Sequence, residues 1–222
     1  MTNVETALSM ITDGAVIGLG SGKAAWTFIE KLGELVRKGL KVTGIPASEA
    51  SATLATKVGI PLVELTADRV IDITFDGADE VAPNMDLLKG WGHALVREKI
   101  IAAAAKKFII LVGPERVEEK IVKFVGQRGR LPVEVVPFAY GFCQRELAKL
   151  GLPGEALKEG EKIFVSDNGN YIIEVKTPSF ENPAEIEKQI CAIPGVVDTG
   201  LFLGMADEIL IQWPDKLEVR KR

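Results

Sequence analysis

Apolar residues recur along this 222-residue chain in two alternating rhythms. Short unbroken runs of aliphatic side chains are followed by stretches whose apolar positions fall three and four apart, the mark of buried strands alternating with amphipathic helices. Thr2-Asn3-Val4-Glu5 is a capping-box pattern, and it predicts a first helix ending near residue 12 with a turn at Asp13-Gly14. The runs at 15–19, 41–45, 70–75 and 108–112 predict strands, and the periodic stretches at 24–38, 48–57 and 92–105 predict helices between them. Such alternation implies an α/β fold: a parallel sheet with helices on both faces.

After Leu131-Pro132 the rhythm changes. Strands at 133–136, 162–165, 171–175 and 196–203, with helices at 139–150 and 183–192, give the order β-α-β-β-α-β of the ferredoxin-like motif. Asn168-Gly169 predicts a type I′ hairpin turn, which needs positive φ at both central residues. A last strand at 208–212 is expected to rejoin the first sheet. The second unit is then an insertion, with one domain over 1–130 and 204–222 and an α+β domain over 131–203. Arg220, Lys221 and Arg222 read as a frayed, solvated end. No internal repeat or low-complexity segment interrupts the pattern.

Composition narrows the function classes. With 47% hydrophobic residues the chain can bury a core without help from disulfides or metals. A net charge of -4, with no clustered basic excess, argues against a nucleic-acid partner. No run of eighteen apolar residues occurs, and no basic segment precedes an apolar one at the N-terminus, which predicts a cytoplasmic protein with no membrane partner. Cys143 and Cys191 stand outside metal-ligand spacing and read as buried thiols in a reducing compartment.

Three segments carry candidate chemistry. Gly18-Leu19-Gly20-Ser21-Gly22-Lys23-Ala24 falls between a strand and a helix, where backbone amides and the helix N-terminus favour an anion. A Walker loop fails there, since the glycine spacing is one residue short and Ala24 stands where a magnesium-binding hydroxyl belongs. A dinucleotide fingerprint fits Gly20, Gly22 and Ala25, but the next strand ends in Ile45-Pro46-Ala47 rather than in an acid for a ribose hydroxyl. A tight turn that simply needs glycine is the bland alternative; phosphate on a smaller ligand is the reading preferred.

The second segment, Asp76-Gly77-Ala78-Asp79-Glu80, follows a strand at the sheet end that binds ligands in such folds. Three carboxylates in five residues cost stability unless something uses them, although an acidic turn or a magnesium site remains an alternative. The third is Lys89-Gly90-Trp91-Gly92-His93-Ala94-Leu95-Val96-Arg97-Glu98-Lys99, a glycine-punctuated loop running into a helix. Glu98 is expected about two turns inside that helix, on the side shared by Ala94 and Leu95, so it need not face solvent. Arg97, Glu98 and Lys99 also fit an ordinary charged face, and His93 alone reads as a structural histidine.

Taken together these segments resemble the ribose-5-phosphate isomerase family of the A type. The resemblance rests on GLGSGKAA, on PASEAS at 46–51, DGADE at 76–80, KGWGHALVREKI at 89–100 and LPVEVVPF at 131–138, in that order and spacing. It implies a Rossmann-like sheet with a ferredoxin-like insertion and an aldose-ketose isomerase acting on ribose 5-phosphate and ribulose 5-phosphate through an enediolate. It implies Glu98 as the proton-abstracting base; on an enediolate mechanism Lys89 is then expected to stabilise the oxyanion, and Asp76 and Asp79 to orient hydroxyls and help open the ring. Substrate contacts are implied at Ser21, Gly22, Lys23 and Ala24, at Asp76, Gly77, Ala78 and Asp79, at Lys89, Gly90, Trp91 and Gly92, and at Arg128. It implies no cofactor and no metal, a small sugar phosphate as partner, and a homodimer. Lys23 and Ala24 depart from the hydroxyl residues common in the phosphate loop, Trp91 and His93 stand where glycine and alanine are common, and Arg128 replaces lysine; phosphate affinity and pocket width are what these changes affect. A sugar-phosphate-sensing module and an acyl or coenzyme A transferase on a similar sheet are the competing classes.

Overall fold

The first helix forms under the capping box expected of it. In the computed structural model, which describes residues 1–177, 180 and 182–222, the Glu5 amide donates to the Thr2 hydroxyl and the Thr2 amide donates to the Glu5 carboxylate. That helix is α1 (Asn3–Ser9), and β1 (Val16–Leu19), α2 (Lys23–Arg37), β2 (Thr43–Pro46), α3 (Glu49–Val58) and β3 (Ile73–Asp76) follow. Next come β4 (Glu80–Val81), β5 (Leu87–Leu88), α4 (Leu95–Ala103), β6 (Phe108–Val112) and α5 (Val117–Lys120). The chain continues through β7 (Arg130–Val135), α6 (Tyr140–Lys149), β8 (Gly154–Ala156), β9 (Lys158–Glu159), β10 (Lys162–Ile163) and β11 (Tyr171–Lys176). It ends with α7 (Pro183–Cys191), β12 (Val196–Thr199), β13 (Leu201–Phe202), β14 (Glu208–Gln212) and β15 (Leu217–Lys221). No helix among the described residues is long and apolar enough to cross a membrane.

These elements form two compact units. The first comprises Met1–Ala78, Arg97–Lys120 and Met205–Arg222. Its sheet runs β15-β14-β6-β3-β1-β2, parallel throughout except for β15, and β14 does rejoin it beside β6. Strand β6 is buried at every position, as a strand covered on both faces must be. Helix α2 buries Phe28, Ile29 and Leu32 at helical spacing, and the Phe28 ring lies 4.4 Å from that of Phe75. Burying each such side chain contributes roughly 1.5–3 kcal/mol. The C-terminus corrects one expectation: Arg220 and Lys221 belong to edge strand β15, and the Arg222 amide donates to the Asp207 carbonyl. Leu217-Glu218-Val219-Arg220 alternates apolar and polar residues, and the pairing with β14 carries the strand on to Lys221.

The second unit comprises Asp79–Val96 and Ile121–Gly204, so that residues 79–96 and 121–130 fold with it. Its four-stranded antiparallel sheet runs β12-β7-β11-β8. Leu131, Val133 and Val135 project into a core shared with Cys143 and Leu147 of α6 and Ile190 of α7. A smaller sheet, β13-β5-β4, and the β9-β10 pair complete the unit.

Three expectations change here. On the side away from β7, the strand paired with β11 is Gly154–Ala156, not the run at 162–165, because Lys162 and Ile163 pair with β9 instead. The Asn168-Gly169 turn exists, but only Gly169 has positive φ, at 77°, and the Gly169 amide closes it onto the Ser166 carbonyl. It is therefore not type I′. The run at 196–203 splits, with β12 in the four-stranded sheet and β13 against β5. Cys143 is buried as expected, whereas Cys191, in the last turn of α7, is exposed.

Glu134 stands out on β7. It alternates with Val133 and Val135, so it projects from the opposite face, and it is 1% exposed. Its Oε1 accepts from Ser166 Oγ at 2.9 Å, Asn168 Nδ2 at 3.0 Å and Asn170 Nδ2 at 2.9 Å, which ties the 166–170 turn to the sheet.

Candidate active site

In the first unit, the glycine-rich loop leaves β1 and is held against β3. Gly20 donates its amide to the Phe75 carbonyl, and a Cβ on Gly20 would fall 2.2 Å from Asp76 Cγ, so only glycine fits. Asp76 is fully buried, and its Oδ1 accepts from the amides of Ser21 at 3.1 Å and Gly77 at 2.7 Å. The Ser21 amide is thus committed to a carboxylate rather than offered to an anion, and the Ser21 hydroxyl lies 3.0 Å from that of Ser48. What remains for an anion is the start of α2, where Gly22 is the N-cap without a side-chain cap and the amides of Lys23 and Ala24 stand in the first turn. Lys23 is exposed and ion-paired with Glu115. Ala24 Cβ lies 3.5 Å from where a Cβ on Gly77 would be, so the two motif loops are neighbours. Lys120 anchors the second of them by donating to the Ala78 carbonyl at 2.9 Å.

Glu98 also belongs to this unit, and it is 3% exposed. It sits in the first turn of α4 rather than two turns inside, since the helix begins only at Leu95. The delay has a local cause: the His93 amide donates to the Gly90 carbonyl and His93 takes φ 68°, so the chain turns before it can coil. A carboxylate in a first helical turn is favoured by the helix dipole. The helix is in turn tied to β3 by Thr74 Oγ1, which donates to the Ile101 carbonyl at 3.2 Å.

The second unit holds Asp79, Lys89, Gly90, Trp91, Gly92 and Arg128. The Trp91 amide donates to Asp79 Oδ2 at 2.9 Å, and Arg128 Nη1 donates to the Asp79 carbonyl at 3.2 Å. Arg128 also stacks on the Trp91 ring, 4.3 Å from its centre. Lys89 is 2% exposed; its amide donates to the Gly200 carbonyl and its Nζ lies 5.4 Å from the centre of the Phe202 ring. Gly90 has φ 100°, and a Cβ there would meet Leu95 and Pro132 within 3 Å, so glycine is required twice over. Gly92 is exposed.

The three carboxylates of the acidic motif are not one cluster. Asp76 is absorbed by its own loop, Asp79 by Trp91, and Glu80 by the amides of Gly126 and Arg128 at 2.6 and 2.8 Å. Burial pushes the Glu80 carboxyl above its ordinary range, and those amides oppose the shift. Sequence reasoning missed Glu80 as the anchor of the loop that carries Arg128. It also missed Ser48 and Ser51: Ser48 caps α3, and Ser51 donates to the Gly20 carbonyl at 2.7 Å, bracing the glycine loop from behind. The PASEAS motif was the available signal. Among the described residues, no three His, Cys, Asp or Glu side chains converge to hold a metal ion.

Residues 43–216 match the family model of ribose 5-phosphate isomerase A, phosphoriboisomerase A. The chain belongs to that family. A ribose-5-phosphate isomerase A from Oceanobacillus iheyensis is 42% identical over 217 residues, which is 97% of this chain and 95% of that protein. One from Thermococcus kodakarensis is 41% identical over 97% of this chain and 94% of its own length. Among solved structures, ribose 5-phosphate isomerase A from Methanocaldococcus jannaschii superposes with a TM-score of 0.92 at 37% identity, covering 100% of this chain and 97% of that one. A D-ribose-5-phosphate isomerase in complex with phospho-erythronic acid gives 0.92 at 36% identity, covering 99% and 96%. As a member of the ribose 5-phosphate isomerase A family the chain is an isomerase with that family's α/β fold, and the sensor and transferase alternatives fall away.

His93 gives a pH prediction. Its Nε2 is buried with no hydrogen-bond partner among the described residues, its ring lies 4.9 Å from that of Phe164, and burial, reinforced by the Arg130 charge, lowers its pKa from 6.5. Glu174, Asp79 and Glu159 pull the other way. A depressed histidine pKa means that the unfolded chain takes up the proton first, so stability is full above 6.5 and is lost as pH falls below it. Thermal melts of wild type and His93→Asn, a residue that tolerates positive φ, are expected to converge or cross between pH 8 and pH 5. Parallel pH profiles would contradict this assignment.

Proposed function

We propose that the chain interconverts ribose 5-phosphate and ribulose 5-phosphate through an enediolate, with Glu98 as the base. The observation that carries this reading is the burial of the Glu98 carboxylate, 3% exposed, within the family segment KGWGHALVREK. Glu98 takes the proton from C2 of the open-chain aldose; the C–H pair becomes the C1=C2 bond and the carbonyl pair moves onto O1. Return of the proton to C1, with the O2 proton passing to O1, gives the ketose. Lys89 stabilises the oxyanion on O1, and Asp76 and Asp79 orient hydroxyls and assist ring opening. Ser21 to Ala24, Gly77, Ala78, Gly90, Trp91, Gly92 and Arg128 contact the substrate through backbone or side chain. No metal takes part. The isomerase bound to phospho-erythronic acid supports this choice of ligand, since that acid carries a phosphate and a carboxylate on a sugar-like chain.

The magnitudes are consistent with such a division of labour. A positioned base contributes about 10² to 10⁴ in rate, roughly 3 to 5 kcal/mol. One oxyanion donor adds about 3 to 4 kcal/mol. Together they reach the low end of enzymatic acceleration, about 8 kcal/mol, so anchoring of the remote phosphate supplies the rest. We further propose that the protein works as a homodimer in the cytoplasm; sedimentation at micromolar concentration tests the first part.

A coupled assay comparing ribose 5-phosphate with unphosphorylated ribose tests the function directly, and turnover of both at equal efficiency would overturn the phosphate anchor. In the same assay Lys23→Ala is expected to raise KM about two- to fivefold with kcat unchanged, the share of an exposed charge. The effect should fade at high salt.

A further inference from the structure

Trp91 is fixed at three points in the second unit. Its amide donates to Asp79 Oδ2 at 2.9 Å, its indole Nε1 donates to the Arg130 carbonyl at 3.3 Å, and its ring packs against the core of that unit. On the fixed ring lies the Arg128 guanidinium, 4.3 Å from the centre, while Arg128 Nη1 donates to the Asp79 carbonyl and its amide to Glu80. Arg130 lies further off, at 5.2 Å, and is ion-paired with Glu174. The indole therefore holds the Arg128 guanidinium against its face while Nη1 reaches the Asp79 carbonyl. A long cationic side chain gives up much rotamer freedom when it binds an anion, and a planar guanidinium stacked on a rigid ring has surrendered it beforehand.

We propose that Trp91 is a positioning residue: it orders Arg128 by stacking so that the guanidinium meets the anionic sugar phosphate already oriented. The proposal rests on the isomerase reading and refines it. Its specific content is that Trp91 acts through the planarity of Arg128, which a lysine lacks.

The test is a cycle of Trp91→Leu, Arg128→Lys and the double variant, with affinity for phospho-erythronic acid measured by calorimetry and ribose 5-phosphate turnover measured alongside. Trp91→Leu is expected to weaken binding about tenfold and to raise KM more than it lowers kcat, as loss of a partly desolvated cation–π contact does. Trp91→Phe, which keeps a ring, should lose only about two- to threefold. In the Arg128→Lys background either change should cost almost nothing. Equal losses in both backgrounds, or no loss in the first, would overturn the positioning role while normal wild-type turnover left the isomerase reading standing. If wild type bound the acid but failed to isomerise ribose 5-phosphate, the reading would fall and the cycle would still decide the positioning. Should Trp91→Leu not fold, the Trp91→Phe comparison decides: a loss that disappears beside Arg128→Lys supports the proposal, and a persistent loss refutes it.

Discussion

Glu98→Gln is expected to lower kcat by about 10³-fold or more, the upper part of what a general base contributes, while affinity for phospho-erythronic acid changes little. The amide keeps the size and one acceptor oxygen of the carboxylate, so the buried first turn of α4 keeps its packing. It loses the negative charge and with it the basicity. Steady-state rates and calorimetric affinities on the same preparation separate the two effects. A glutamine variant with near-normal turnover would remove Glu98 from the chemistry, and a variant with neither turnover nor binding would make it a structural group.

The largest stability effect is expected at Glu134. Its Oε1 is the shared acceptor for Ser166, Asn168 and Asn170. Glu134→Ala removes the acceptor of three donors, of which Ser166 is buried, Asn170 half-buried and Asn168 exposed to water. A buried donor left without a partner costs about 1–3 kcal/mol, and water relieves the exposed amide, so a loss of about 2–3 kcal/mol is expected. For a chain of this length that is a fall in Tm of roughly 4–12 °C. Glu134→Gln, which retains an acceptor oxygen, should lose less than half as much. An alanine variant melting within two degrees of wild type would show that the turn does not depend on this carboxylate.

What the sequence disclosed followed from how local each cause is. The capping box of α1, the apolar runs of β1 and β6 and the periodicity of α2 are settled within a few residues, and each formed close to its expected bounds, except that α1 ends at Ser9 rather than near Thr12. Strand β8 was invisible because Gly154-Glu155-Ala156 has neither β-branched residues nor alternation; its only support is the ladder to β11. The start of α4 was misjudged because periodicity carries no trace of a histidine at φ 68°. In the site, residue types were legible but partners were not. Asp76, Asp79 and Glu80 look equivalent in a five-residue motif, yet Glu80 is consumed by amides at Gly126 and Arg128. Lys23 advertised a free charge, and the fold pairs it with Glu115.

The order in which the strands of the first unit appear in the chain affects how the protein can be made. The final stretch, Met205–Arg222, supplies β14, which lies between β6 and β15, whereas the stretches of the second unit are complete by Gly204. At about 5–20 residues per second on the ribosome, the second unit, complete by Gly204, can close first. Meanwhile the nascent chain carries the open side of Phe108–Val112 without its neighbour until Met205–Arg222 has been read. A product stalled or clipped before Met205 would keep that apolar edge permanently bare, and chaperones or proteases rather than solvent would decide its fate.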